Sequence, residues 1–323
     1  MSDFIFRINP YIVLGSYSIS RIGSQVLEWG TRFMVIIDPF LNEAKLAKQI
    51  MESLNDRKVE GFLFADIAEG PTSKNIERAL DLARDSHVHG IIAIGGEKAI
   101  QTGRAVAAFF NEIHNFYNFI DGALPNTTPI PCICVPTTYR TIYTFTSEIP
   151  IIDSRSNQLK FLKVQKSVCK LILIDPNLML SLTANQKATL SLELIGIAIE
   201  AYLSQKASFF SDMLVEKGLE LLSYALDGSP SLDITTPEEV LLTQAGCMLS
   251  LAAASSSPGL TTLLSLSIYS RYKKGKSLIS SILIPYEIDD AVKFKLAKIE
   301  KLSHIIRACP NDVTGETAGR ALS

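Results

Sequence analysis

Three short stretches of this chain carry residue types that suit a nucleotide. Asp38 follows the β-branched run Phe33-Met-Val-Ile-Ile37. A carboxylate at such a strand end can accept from both hydroxyls of an adenosine ribose, although an acidic residue there is also a common helix cap. Gly95-Gly96 sit between the apolar run Ile91-Ile-Ala-Ile94 and a helical pattern reaching about Phe110. Backbone N–H groups and the dipole at a helix start favour a phosphate. No G-x-G-x-x-G is present, and a strand-to-helix turn also uses glycine for geometry alone. Pro136-Thr137-Thr138 end a fourth apolar run and add two hydroxyls. Each signal alone is divided; the three together favour a nucleotide site.

Thiol chemistry is less promising. Cys132 and Cys134 lie two apart in an apolar run, so on a strand they share a face. With no second Cys/His pair nearby, they read as small buried side chains. The five cysteines, Cys132, Cys134, Cys169, Cys247 and Cys309, are an odd, scattered set in a chain too large to need cross-links. They read as reduced thiols of a cytoplasmic protein.

The elements that must position these residues alternate in kind. After Phe33–Ile37 comes a helical face of Leu46, Ile50 and Leu54, then a strand Gly61-Phe-Leu-Phe-Ala65. Pro71-Thr72 open a helix with Ile76, Leu80 and Ala83 inward, and Ile130 to Val135 form the fourth strand. Strand, helix, strand, helix predicts a parallel sheet covered on both faces, a Rossmann-like α/β domain. The character changes after Asp175-Pro176. Thr183-Ala-Asn-Gln186 reads as a capping box opening a helix through about Leu203, and Thr236-Pro-Glu-Glu239 as another with proline at the first helical position. A last helix is expected from about Ala291 to Ile306, with Val292, Leu296, Ile299, Leu302 and Ile306 on its apolar side. The expected organisation is a nucleotide-binding α/β domain over 1–165 and an all-α domain over 166–323.

Composition limits the partners. The 323 residues are 47% hydrophobic, and 31 basic against 33 acidic residues leave a net charge of −2. That balance argues against nucleic acid as a partner. Met1 to Pro10 carries charges and no long apolar core, so it does not read as a signal peptide. Val240 to Ser270 has no charged residue, but Ser, Thr and Ala fill it and Pro258-Gly259 break it. It reads as two buried helices, with no membrane partner.

In this order the stretches resemble the iron-containing alcohol dehydrogenases. The resemblance spans essentially the whole chain, through Val13-Leu-Gly15, Asp38, Gly70-Pro71-Thr72, Ile94-Gly-Gly96, Val135-Pro-Thr-Thr138, Ile174-Asp-Pro-Asn-Leu178, Leu182, Ala198-Ile-Glu-Ala-Tyr202 and Ile282-Leu-Ile-Pro285. It implies an NAD(P) domain, a helical metal domain, a cleft between them and a homodimer. It assigns cofactor contacts to Asp38, Gly95, Gly96, Thr137 and Thr138. Lys160 lies within one residue of a family lysine that touches the cofactor ribose.

The departures carry more information than the matches. The family holds a divalent metal with one aspartate and three histidines, and those positions here are Glu193, Ile197, Thr262 and Lys276. The further histidine that works in catalysis becomes Leu266. The histidines of this chain, His87, His89, His114 and His304, fall in none of the ligand segments. No metal is expected, since transition-metal affinity needs several imidazole or carboxylate donors in one shell. The family's Gly-Gly-Gly-Ser reads Gly95-Gly-Glu-Lys98, with Gln101 and Arg104 replacing a following aspartate and lysine. Glu97 suits the helix dipole but sets an anion where pyrophosphate would rest. The small-residue loop that admits the nicotinamide becomes the bulky Tyr139-Arg-Thr-Ile-Tyr-Thr144.

These departures favour a member that has lost metal-dependent hydride transfer, with no catalytic residue assigned. It would keep a nucleotide-binding, regulatory or assembly role, with weak affinity for NAD(P) or an ADP-like nucleotide. The alternative is an active NAD(P)-dependent oxidoreductase in which a charged side chain such as Lys276 replaces the metal. A member with a changed substrate ranks last, because it would need the metal as well.

Overall fold

The structure, a computed structural model, describes residues 10–42, 45–67, 69–227 and 236–322. The reading of the first nine residues therefore lies outside the described ones. In chain order the first part carries β1 (Tyr11–Leu14), α1 (Ile22–Val26), β2 (Arg32–Ile37), α2 (Pro39–Asn42), α3 (Lys45–Asn55), β3 (Glu60–Phe64), α4 (Ser73–Asp85), β4 (Gly90–Gly95), α5 (Glu97–Phe109), α6 (Phe116–Ile120) and β5 (Cys132–Pro136). A hairpin of β6 (Glu148–Asp153) and β7 (Gln158–Lys163) follows, then β8 (Cys169–Ile174). The helical part holds α7 (Ala184–Leu203), α8 (Phe209–Asp227), α9 (Glu238–Ser255), α10 (Leu260–Tyr272), α11 (Lys276–Ile305) and α12 (Gly315–Arg320).

Six strands form one parallel sheet in the order β1-β8-β5-β4-β2-β3. The runs of β2, β4 and β5 are buried on both faces, as a sheet covered by crossover helices requires, while the edge strand β3 is partly exposed. Ile92 and Ile94 belong to a core with Ile22, Val26, Ile50 and Leu54 of α1 and α3. Ile91 and Ala93 point the other way, against α5, where a Cβ added to Gly103 would stand 2.5 Å from that of Ala93. α4 begins where expected, with Thr72 accepting from the Asn75 N–H at 3.2 Å and Ile76, Leu80 and Ala83 buried.

The chain divides after Leu178, not near residue 165. The reason is β8, which fills the sheet between β5 and β1 and would expose two hydrogen-bonding edges if it left.

In the helical unit the first capping box forms: Thr183 Oγ1 accepts from the Gln186 N–H at 3.3 Å and Gln186 Oε1 from the Thr183 N–H at 2.8 Å. The second does not. α9 starts at Glu238 with Pro237 as its N-cap and no side-chain cap, so Thr236 stands one residue too early. α9 and α10 bend by 98° around the Pro258-Gly259 break, and among the described residues no single helix is long and apolar enough to cross a membrane. α11 begins at Lys276, well before the expected Ala291, and runs through Pro285 to a kink at Lys295. Ile279, Ile284, Ile288, Val292, Ile299 and Leu302 give it one long buried face, enough to carry the helix past the proline's missing N–H.

Candidate functional site

β2 is followed by β3 on one side, while the crossover from β3 through α4 delivers β4 to the other side. The carboxyl ends of β2 and β4 therefore flank the switch point, where an open α/β sheet leaves a crevice for ligands. Asp38, Gly95 and Thr137 stand side by side there. The Asp38 N–H donates to the Ile94 carbonyl at 3.1 Å, and the Thr137 N–H to the Gly95 carbonyl at 3.0 Å. Gly95 has φ +141°, and a Cβ on it would lie 3.0 Å from those of Asp38 and Ala99, so this turn requires glycine. Gly96 is the N-cap of α5 without a side-chain cap, and a Cβ there would meet nothing within 4 Å. The space over this helix start is open.

Two of the assigned contacts need qualification by geometry. Asp38 Oδ1 accepts from the Phe40 N–H at 3.3 Å, so the helix-cap role occupies one carboxylate oxygen. Lys160 lies on β7, in the separate hairpin sheet, where its charge helps lower the carboxyls of Asp121 and Asp153 behind the larger effect of Arg155. Thr138, half-buried, donates to the Arg140 carbonyl at 3.4 Å.

The replaced loop is tightly held. Arg140 Nη2 meets Glu97 Oε2 at 3.1 Å, and both side chains are only 13% exposed. The anion foreseen at the helix start is thus paired with a cation from the next strand end. Tyr139 and Tyr143 are buried beneath it. Arg104, 1% exposed, donates to Gln101 Oε1 at 2.9 Å and to the carbonyls of Tyr143, Thr146 and Glu148. The substitutions at 97, 104 and 139–144 therefore form one connected structure. The Glu97–Arg140 pair was not legible in the sequence, because the two residues are 43 apart.

In the helical unit the four positions assigned to metal ligands meet different fates. Glu193 and Ile197 are buried on α7, one turn apart, and Leu266 is buried on α10. Thr262 is engaged by Glu200: its N–H donates to Oε1 at 2.9 Å and its hydroxyl to Oε2 at 2.5 Å. Glu200 thereby caps α10 from α7. Gly259 is needed beside it, since a Cβ there would fall 2.5 Å from the carboxyl. Thr261 donates to Glu287 Oε2 at 2.6 Å. Burial raises the Glu200 carboxyl against the pull of these hydrogen bonds, and burial plus the Glu200 charge pushes Glu287 up to about 7. Lys276 opens α11, its Nζ 5.8 Å from the Tyr269 ring centre. Among the described residues, no three His, Cys, Asp or Glu side chains come together as a metal-binding group. Ile197 offers no donor atom, and Thr262 spends its hydroxyl on Glu200, so this set does not fit the family's ion.

The thiols are closer than the spacing implied. Cys134 lies 3.8 Å from Cys132 and 3.6 Å from Cys169, Sγ to Sγ, all three buried. The neighbouring thiols and burial hold Cys134 and Cys169 well above the ordinary range, protonated and inert.

A doubly wound sheet with a glycine turn at its switch point, followed by a helical unit, is the α/β-then-all-α architecture that the sequence led one to expect. The chain belongs to the iron-containing alcohol dehydrogenase family, whose profile matches residues 9–176. It is 21% identical over 322 residues to the NAD-dependent methanol dehydrogenase of Bacillus methanolicus, covering 98% of this chain and 82% of that protein. It is 24% identical to the probable alcohol dehydrogenase EutG of Escherichia coli (strain K12), covering 79% of this chain and 65% of the relative. The solved structure of a 1,3-propanediol oxidoreductase superposes with a TM-score of 0.90 at 16% identity, over 99% of this chain and 84% of that one. That likeness establishes the shared fold.

Proposed function

We infer that this chain keeps the family's architecture without metal-dependent hydride transfer, and that its switch-point crevice serves as a nucleotide-binding, regulatory site. The observation that carries the reading is Thr262. Its N–H and hydroxyl are both held by the Glu200 carboxylate, so an interaction within the protein stands where the resemblance assigns a metal ligand. Ile197 next to Glu193 supports the same conclusion. In the crevice, Asp38, Gly96, Thr137 and Thr138 suit the adenosine half of a dinucleotide, while Tyr139 and Tyr143 fill the loop that would admit a nicotinamide. The family's homodimer is part of this reading, and sedimentation of the purified chain tests it.

The second reading, an active NAD(P)-dependent oxidoreductase without a metal, draws on Lys276. An ammonium beside a tyrosine ring can stabilise developing alkoxide charge. One experiment separates the two. Purified protein is analysed for iron and zinc, titrated calorimetrically with adenosine, ADP and NAD, and assayed with short primary alcohols. No stoichiometric metal, adenosine or ADP binding and no turnover uphold the first reading. Turnover without metal moves the assignment to the second, and one retained metal per chain refutes both.

A further inference from the structure

The start of α5 is built for an anion. Gly96 leaves open space above the first turn, and the helix dipole favours negative charge there. The protein supplies that anion itself. Glu97 is the first residue of α5, and its carboxylate is paired at 3.1 Å with Arg140, from the loop after β5. That loop cannot easily swing away. The buried Arg104 holds the carbonyls of Tyr143, Thr146 and Glu148, just beyond Arg140, and the Thr137 N–H ties the loop's start to Gly95.

We propose that Glu97 and Arg140 form a specificity-determining lock, an internal counter-ion pair that makes the crevice discriminate against phosphate-bearing ligands. Glu97 repels an incoming phosphate, and it also engages the guanidinium that would otherwise receive one. Arg140 is a latent phosphate receptor whose natural partner is a carboxylate of the same chain. This deepens the nucleotide-site reading and rests on it for the position of the crevice. It adds that the ligand class is set by one ion pair: a neutral nucleoside is tolerated, whereas a diphosphate must displace Glu97. The surrounding residues make the discrimination strong, because the pair is largely shielded from solvent and salt.

The test compares wild type, Glu97→Gln and the double variant Glu97→Gln/Arg140→Gln, each as the full chain, by calorimetry against adenosine, ADP and inorganic pyrophosphate. In E97Q, affinity for ADP and pyrophosphate rises by about tenfold or more while adenosine is unchanged, as expected for removing a close like charge from a partly buried site. The double variant gains only about threefold, since the repelling carboxylate and the receptor are both gone. Raising ionic strength weakens the gain in E97Q more than it affects adenosine. Unchanged ADP and pyrophosphate affinity in E97Q overturns the lock, and so does an equal gain for adenosine, which would indicate a merely widened pocket. Pyrophosphate binding to E97Q without adenosine binding to any variant upholds the lock and refutes the adenosine site. If E97Q does not fold, the double variant decides: a rise in ADP affinity over wild type upholds the lock, and no rise overturns it.

Discussion

Two helix starts of this molecule hold acidic side chains that are largely withdrawn from solvent, and they do so with opposite electrostatics. At the start of α5, Glu97 meets a cation, Arg140. At the start of α10, Glu200 meets only hydrogen-bond donors, and its neighbour is another acid, Glu287. The first arrangement neutralises itself by pairing. The second does so by holding a proton, because two carboxylates in a shielded environment resist ionising together. A shielded acid can thus be accommodated by opposite charge or by protonation, and the two leave different signatures in stability.

The largest expected effect tests how firmly the first region is clasped. Arg104→Met removes a buried guanidinium, and with it the charge-assisted hydrogen bonds to the carbonyls of Tyr143, Thr146 and Glu148. The cost should be about 3 kcal/mol or more in denaturant titration. A loss below about 1 kcal/mol would mean that the loop is held by its tyrosines alone.

The next tests the second region. Glu200→Ala leaves the Thr262 N–H and hydroxyl at the head of α10 without their acceptor, at a cost of about 2 kcal/mol. Glu200→Gln keeps an acceptor for Thr262 and removes the charge, so it should cost less.

The pH signature follows from Glu287. Its carboxyl is raised from 4.5 to about 7, so between those values the folded chain holds more protons than the unfolded one. The stabilisation is fully present below the unfolded value and is lost as pH rises through the folded value. Between about pH 5.5 and 8, unfolding free energy should therefore fall by an amount on the order of 2 kcal/mol. Glu287→Gln should flatten that slope, whereas Glu97→Gln should leave it in place. A slope that survives in E287Q would dissolve the contrast between the two regions.

How much of this was legible in the sequence depended on how local the cause was. β2, β4 and β5 announced themselves as apolar runs, because burial on both faces leaves no room for polar residues, whereas the edge strand β3 showed through its aromatic residues. Gly95 and the Thr183 box were readable for the same reason, being set by residues within one turn. α8 and the hairpin of β6 and β7 were not named, and β8 was placed beyond the sheet. The hairpin strands carry Lys160 and Lys163 among their apolar residues, and β8 gains its place only by pairing with the distant β1 and β5. The site split in the same way. The strand-end residues were legible, whereas Arg140 with Glu97 and Glu200 with Thr262 join positions 43 and 62 residues apart. Sequence spacing says nothing about such partners; only the packed fold selects them.

The smallest expected effect concerns Lys276, which sharpens the comparison by asking whether the second region also uses opposite charge. Lys276 is the first residue of α11, where the helix dipole disfavours a cation. Its ammonium lies 5.8 Å from the Tyr269 ring centre. Glu193 is a buried carboxylate on α7, at the position the family resemblance gives to an acidic metal ligand. A Lys276–Glu193 pair, direct or through a water, would join α7 to α11, with Ile197 and Leu266 supplying apolar contact. The prediction is a double-mutant cycle. Lys276→Met destabilises the chain, Glu193→Gln in the same background recovers much of the loss, and the coupling is about 1 kcal/mol. Lys274→Met serves as the control for register, since a coupling of equal size there would assign the pair to that lysine. Strict additivity at both lysines would leave Glu193 satisfied by other groups, and the contrast between the two helix starts would stand.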